Sequence, residues 1–154
     1  MVTSPIKVLY VDDEVNNLVA FQAGFRRDFD IHIAQSAEEG LQILQSNEMQ
    51  VIISDQRMPV MTGIEFFATV IKRFPDPIRI LLTGYSDIAA VIDAINTGQV
   101  YKYLTKPWDE ETMRIFIQKS FEVYTLRKQN KLLTKKLVDT NRKLELLARH
   151  AVLS

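Results

Sequence analysis

Three short apolar segments of this chain each lead into charged residues, and this arrangement restricts the fold more than any other feature. They are residues 6–11, which precede Asp12 and Asp13, residues 51–54, which precede Asp55, and residues 100–104, which lead to Lys106. Short segments rich in β-branched residues predict buried parallel strands. Because functional groups gather at the carboxyl ends of the strands in an open α/β sheet, we expect these carboxylates and this ammonium group to share one crevice.

The stretch from Ile6 to Lys106 alternates strand-like and helix-like patterns. Ser36, three residues before Glu39, predicts a helix that begins with a capping box, and Ser86 predicts a second N-cap. Five strand–helix units in succession predict a doubly wound, five-stranded parallel sheet of the α/β class, with helices on both faces.

The composition narrows the range of partners. Basic and acidic residues number 19 each, so the net charge is zero. Such a chain lacks the broad field that attracts nucleic acids or membrane surfaces, and we expect it to bind neither directly. The absence of cysteine excludes disulfides, thiolate catalysis and cysteine-based zinc sites. No segment reaches the ~20 apolar residues of a membrane span and no signal peptide is evident, so we expect a cytoplasmic location.

The side chains predicted to share the crevice suit Mg²⁺ and phosphoryl-transfer chemistry. Mg²⁺ prefers one or two carboxylates, with water and phosphoryl oxygens completing its shell. Asp13 and Asp55 can supply the carboxylates, and Asp12 can hold a metal-bound water or add charge. Lys106 is a compact cation for a phosphoryl oxygen, and Thr83 can donate a hydroxyl hydrogen bond. An aspartate can itself accept the phosphoryl group when a metal neutralises the incoming charge.

From about Lys7 to Lys119 the chain resembles the receiver domain of two-component response regulators. The residues that carry the resemblance are Asp12-Asp13, Asp55, Met58-Pro59, Gly63, Thr83 and Lys106-Pro107. Tyr103 stands where that family places an aromatic switch residue, which implies a conformational relay with Thr83. The resemblance implies a flavodoxin-like sheet in the order 2-1-3-4-5, and a phosphorylation-dependent signalling module rather than an enzyme.

The resemblance also implies a role for each site residue. Asp55 resembles the acceptor of a phosphoryl group from a sensor histidine kinase or a phosphotransfer protein. Asp13, Asp55 and the backbone carbonyl of Arg57 resemble the Mg²⁺ ligands, and Lys106 with Thr83 resembles the pair that binds the phosphoryl group. The bond between Lys106 and the following proline is expected to be cis, as is usual in the family.

The last part of the chain has a different pattern. No glycine or proline occurs from Asp109 onward, which predicts one helix of roughly 40 residues. We expect a receiver domain over residues 1–124 and a helical extension over residues 125–154. A heptad pattern places apolar residues along one stripe, with Asn130 at a core position that favours a parallel, in-register homodimer. The a positions are Phe116, Val123, Asn130, Leu137, Leu144 and Ala151, and the d positions are Leu126, Leu133, Thr140 and Leu147. A helix that packs on a further domain or on a partner protein is the alternative.

Two other functions fit parts of this pattern. An aspartyl-phosphate phosphohydrolase would need a second acid–base carboxylate beside the nucleophile, but Arg57 occupies the position two residues after Asp55, and no cap insertion is present. A degenerate receiver that serves only as a dimerisation scaffold is disfavoured because every expected phosphorylation residue is present.

Overall fold

The computed structural model of the chain describes residues 4–153. Strands and helices alternate along the first two thirds of the chain, and one long helix completes it. The elements are β1 (Lys7–Val11), α1 (Val15–Phe25), β2 (Asp30–Ala34), α2 (Ala37–Ser46), β3 (Val51–Asp55), α3 (Gly63–Arg73), β4 (Ile78–Thr83), a 3-10 turn (Tyr85–Asp87), α4 (Ile88–Asn96), β5 (Lys102–Thr105) and α5 (Glu110–Leu153).

The five strands form one parallel sheet in the order β2-β1-β3-β4-β5, which confirms the predicted flavodoxin-like architecture. Val11 pairs with Ser54 of β3, so the residues that follow β1 lie beside the end of β3. Thr83 pairs with Thr105, which brings the end of β4 beside the end of β5. The register therefore collects the predicted site residues at one edge of the sheet.

Each face of the sheet carries its own buried core, because successive residues of a strand point to opposite faces. On one face, Val8 and Tyr10 of β1 pack with residues of α1 and α5, including Phe21 and Met113. On the other face, Leu9 and Val11 pack with residues of α2, α3 and α4; these include Leu44, Phe66, Phe67 and Val91. The helices thus cover both faces, as the doubly wound prediction requires.

The two predicted helix caps differ in outcome. The Ser36 hydroxyl accepts a hydrogen bond from the Glu39 backbone N–H at 3.1 Å, as predicted. The Glu39 carboxylate, however, accepts from the backbone N–H of Gln35 instead of closing the box on Ser36. The prediction for Ser86 was wrong, because a 3-10 turn intervenes and Asp87 occupies the N-cap position of α4.

The long C-terminal helix is confirmed, since α5 runs from Glu110 to Leu153 without interruption. The chain divides into two compact units, one ending at Tyr124 and the other beginning at Thr125. In the second unit the heptad leucines are exposed; these are Leu126, Leu133, Leu137, Leu144 and Leu147. Between residues 4 and 153, no helix combines the length and apolar character needed to cross a membrane.

Candidate functional site

Three carboxylates meet at the carboxyl edge of the sheet. Asp12 and Asp13 follow β1, Asp55 ends the neighbouring strand β3, and one oxygen from each lies within 4.8 Å of the others. Asp12 and Asp55 are buried, with exposed fractions of 0% and 6%. The convergence of these side chains follows from strand order and register, so the strand-end reasoning located the cluster correctly. Such a set of hard oxygen donors fits the ligand preference of Mg²⁺.

A lysine completes the cluster from the far edge of the sheet. The Lys106 ammonium lies 2.5 Å from Oδ1 of Asp55. The Lys106 backbone N–H donates to the carbonyl of Thr83 at 3.0 Å, which extends the pairing of β4 and β5 by one residue. The peptide bond between Lys106 and Pro107 is cis, as expected. Three carboxylates and one ammonium group leave the cluster with an excess of negative charge.

Burial is the main influence on the Asp55 carboxyl, and it raises the pKa of that group above its ordinary value. Lys106 opposes the rise through its hydrogen bond and its charge, while Asp12 and Asp13 add to it by repulsion. Ionised Asp55 is therefore held at a free-energy cost. A bound cation would lower that cost, and the arrangement is well suited to accept one.

Donors within the protein hold the Asp12 carboxylate on both of its oxygens. Oδ1 accepts from the backbone N–H of Glu14 at 3.0 Å. Oδ2 accepts from the Tyr10 hydroxyl at 2.8 Å and from Nδ2 of Asn17 at 3.1 Å. Burial raises the pKa of Tyr10, with further contributions from the charge and hydrogen bond of Asp12, so its hydroxyl remains a donor. Sequence reasoning missed Tyr10 and Asn17. The role of Tyr10 could have been predicted from strand alternation, which places its side chain on the same side as that of Asp12.

The two predicted switch residues do not contact the acidic cluster through their hydroxyl groups in this structure. Thr83 is buried, and its hydroxyl donates to the carbonyl of Gly84 at 3.2 Å. Tyr103 pairs with Leu81 in the sheet and is half-buried against the core that α4 covers. Thr83 and Tyr103 thus lie on adjacent strands, two positions apart in register.

Arg57 offers more than the backbone carbonyl expected from the sequence. Its guanidinium pairs with both carboxylate oxygens of Asp87, through Nε at 3.0 Å and Nη2 at 3.3 Å. Nη2 also donates to the Ser86 hydroxyl at 3.1 Å. These bonds join the loop after β3 to the turn after β4. No sequence pattern predicts this contact, because the two residues are 30 positions apart in irregular segments.

The helix α3 begins directly against the strand end that carries Asp55. The Gly63 backbone N–H donates to the carbonyl of Gln56 at 3.0 Å, and the Gln56 side chain accepts from the N–H of Ile64 at 2.9 Å. A Cβ placed on Gly63 would lie only 2.5 Å from the Asp55 carbonyl oxygen. Glycine is therefore required for α3 to approach the Asp55 backbone this closely.

Comparison with known proteins places the chain among signalling proteins. The family model described as the response regulator receiver domain matches residues 8–118. The hydrogenase transcriptional regulatory protein HoxA of Bradyrhizobium diazoefficiens is 32% identical over 122 residues, which cover 79% of this chain and 25% of that protein. The chain thus spans about a quarter of the length of the curated relatives it matches.

Two solved structures are also similar. The structure titled adenylate cyclase from Rhodopirellula baltica superposes with a TM-score of 0.81 at 31% identity, covering 84% of this chain and 96% of that one. The signal receiver domain of an HD domain-containing protein from Pseudomonas fluorescens gives a TM-score of 0.76 at 32% identity, with the same coverage of 84% and 96%. This chain therefore shares its fold with a solved signal receiver domain.

Proposed function

The chain belongs to the response regulator receiver domain family, and on that premise we propose that Asp55 accepts a phosphoryl group from a sensor histidine kinase or a phosphotransfer protein. Family membership implies phosphorylation-dependent signalling in a two-component system. The observation that carries the choice of residue is the geometry of Asp55. It is the carboxylate that ends a central strand, contacts the Lys106 ammonium and shares a cluster with two further carboxylates.

The proposed transfer is a nucleophilic substitution at phosphorus. A carboxylate oxygen of Asp55 forms a bond to phosphorus while the bond from phosphorus to the donor histidine nitrogen breaks, and the electron pair of that bond stays with the imidazole. Lys106 is paired with Oδ1, which leaves Oδ2 as the attacking oxygen. After transfer, the same ammonium group can pair with an oxygen of the new acyl phosphate.

Asp13 and Asp55, with the backbone carbonyl of Arg57, are the proposed ligands of Mg²⁺, and Asp12 holds a metal-bound water or adds charge. When bound, the ion neutralises charge on the phosphoryl oxygens. The chain itself supplies carboxylate oxygens that already lie close together and are costly to keep ionised without a cation. Removing either Asp13 or Asp55 leaves too few fixed oxygens for a strongly hydrated ion.

Intact mass spectrometry after incubation with acetyl phosphate tests the proposed acceptor. The wild-type chain is expected to gain the mass of one phosphoryl group in the presence of Mg²⁺ and to lose most of that gain when the metal is chelated. Asp55→Asn should abolish the gain, whereas the control Asp93→Asn, which changes an exposed aspartate on α4, should label normally. Full labelling of Asp55→Asn would overturn the assignment.

We further propose that phosphorylation is relayed through Thr83 and Tyr103. The Thr83 hydroxyl now donates to Gly84, and a phosphoryl group on Asp55 would offer a charged acceptor in its place. Withdrawal of Thr83 would leave space that Tyr103, now half-buried, could occupy, and the surface formed by α4, β5 and α5 would change. Side-chain NMR signals of Tyr103 should shift when beryllofluoride is added; identical signals with and without it would count against the relay.

For the region from Thr125 onward we propose a helical extension that pairs in parallel with a second copy of the chain, beyond a receiver domain of residues 1–124. Exposed heptad leucines support this, because their burial is worth roughly 25 cal/mol per Å² of apolar surface. Asn130 opposite its own copy would select the in-register arrangement. Sedimentation over a range of concentrations should reveal a dimer, and a monomer at high micromolar concentration would refute the proposal.

The remaining proposals concern what the chain does not do. Arg57 holds the position where a phosphohydrolase would need an acid–base carboxylate, and its guanidinium is engaged by Asp87, so we propose a signalling function rather than an enzymatic one. The balanced net charge supports a protein that does not bind nucleic acids or membranes directly, and we propose a cytoplasmic location. Any output through DNA or another activity would then belong to a partner or to a further domain.

A further inference from the structure

We propose that Tyr10 is a positioning residue of the Mg²⁺ site. Its hydroxyl restricts the Asp12 carboxylate to a single remaining acceptor position, which faces the cluster. The inference rests on the proposed Mg²⁺ site and deepens it. Tyr10 is not itself a ligand in this account. Its hydroxyl acts through Asp12, and the expected consequence is a site that favours Mg²⁺ over larger cations.

The number of hydrogen bonds to Asp12 is the basis of the proposal. An ionised carboxylate offers about four acceptor positions, two on each oxygen. Oδ2 uses two of them, for the Tyr10 hydroxyl and for Nδ2 of Asn17. Oδ1 uses one, for the backbone N–H of Glu14. One position on Oδ1 is left for a cation or for one of its water molecules.

The tyrosine is held firmly enough to enforce this arrangement. Its ring is buried and stacks on Phe21 with ring centroids 4.2 Å apart and planes inclined by 4°. Phe21 in turn meets Trp108 edge-on at 5.9 Å. Asp12 is fully buried, and three donors of the protein hold its carboxylate. The hydroxyl therefore fixes the Asp12 orientation from a rigid support.

Restricting Asp12 in this way has a predictable effect on metal selectivity. Mg²⁺ requires near-octahedral geometry and tolerates little variation in its ligands, whereas Ca²⁺ readily accepts carboxylates that bind through both oxygens. Without the Tyr10 hydroxyl, Oδ2 regains a free acceptor position and Asp12 can rotate or bind through two oxygens. We expect that change to weaken Mg²⁺ binding much more than Ca²⁺ binding.

Titration calorimetry of Tyr10→Phe with Mg²⁺ and with Ca²⁺ tests the inference. The substitution keeps the aromatic ring and removes only the hydroxyl. Loss of a group that orients a metal ligand commonly costs 10–100-fold in metal affinity, and we expect about a 10-fold weaker Mg²⁺ affinity and a smaller change for Ca²⁺. The matched control is Tyr124→Phe, which also removes a tyrosine–carboxylate hydrogen bond, that to Glu48 at 3.0 Å, away from the acidic cluster. The control should leave both affinities unchanged.

Each result leads to a definite conclusion. Wild-type and Tyr10→Phe chains with the same ratio of Mg²⁺ to Ca²⁺ affinity would overturn the role of Tyr10 while leaving the metal site intact. A wild-type chain that binds no Mg²⁺ would overturn the site itself and this inference with it. If Tyr10→Phe does not fold, Asn17→Ala removes the other side-chain donor to the same oxygen and should shift the ratio in the same direction; no shift would overturn the proposal.

Discussion

Gly63→Ala should destabilise the chain and disturb Asp55 at the same time, because the new methyl group has no room. Its Cβ would lie 2.5 Å from the Asp55 carbonyl oxygen and 2.6 Å from Cδ1 of Leu81. The first contact falls about 0.9 Å short of the 3.4 Å at which ordinary van der Waals contact begins. Because that neighbour is backbone within a central strand, the start of α3 must move away from β3.

Overpacking of this kind typically costs ~1–3 kcal/mol, and we expect a loss of unfolding free energy in that range. Urea denaturation followed by circular dichroism measures it. For a protein of this size, each kcal/mol corresponds to about 2–4 °C in melting temperature, so thermal unfolding gives an independent value. The rate of labelling by acetyl phosphate should also fall, since the displaced carbonyl belongs to the proposed acceptor.

Gly84→Ala is the matched control. Gly84 has φ −85° and ψ 168°, which any residue adopts, and no atom lies within 4 Å of its added Cβ. Alanine there should leave stability unchanged or raise it by up to about 1 kcal/mol, through the lower entropy of the unfolded chain. If Gly63→Ala were as stable as Gly84→Ala, the close packing of α3 on the Asp55 strand would be refuted.

Further predictions concern charge, metal and association. Because burial raises the pKa of Asp55 in the folded chain, its stabilising contribution is present at acidic pH and is lost as the pH rises through the folded value. Asp55→Asn should therefore gain stability over wild type progressively as the pH rises above about 4, and a constant difference in denaturation midpoints would contradict this. Mg²⁺ at about 100 times its dissociation constant should raise the wild-type unfolding free energy by ~2.7 kcal/mol, and Asp13→Ala should lose most of that gain; equal stabilisation would show that the ion binds elsewhere. Asn130→Leu should strengthen self-association but loosen its register, so disulfide trapping of cysteines introduced along the helix should yield several registers in place of one.

Much of the fold could be predicted because it depends on local pattern and on general rules for parallel sheets. Five strand–helix units in succession were enough to predict a doubly wound parallel sheet and the meeting of Asp12, Asp13 and Asp55 at its carboxyl edge. The strand order, in contrast, was implied by the resemblance to receiver domains. The predicted extent of the fifth strand was less accurate. Val100 is apolar, but it belongs to the connection from α4, where its N–H donates to the carbonyl of Ala94 at 3.2 Å. Burial of an apolar residue and its pairing in a strand are separate properties.

The features that sequence reasoning missed depend on the conformation of loops and on hydroxyl directions. The bond between Arg57 and Asp87 requires two loops from different strands to lie side by side, and neither loop has a periodic pattern. Tyr10 has the pattern of a core residue, which it is, and that pattern does not predict the hydrogen bond from its hydroxyl to Asp12. Ser86 is a residue type that often caps helices, but it lies within a 3-10 turn that precedes α4. Its hydroxyl accepts a hydrogen bond from Arg57 instead.

Locating the modification within the chain shows whether Asp55 is the phosphorylated residue. After incubation with acetyl phosphate and Mg²⁺, borohydride reduces an aspartyl phosphate to homoserine, and tandem mass spectrometry of the peptides then identifies the altered position. Homoserine is predicted at position 55 and at no other aspartate, and it should be absent when the phosphodonor is omitted. Homoserine at position 12 or 13, with residue 55 still aspartate, would rule out Asp55 as the phosphorylated residue.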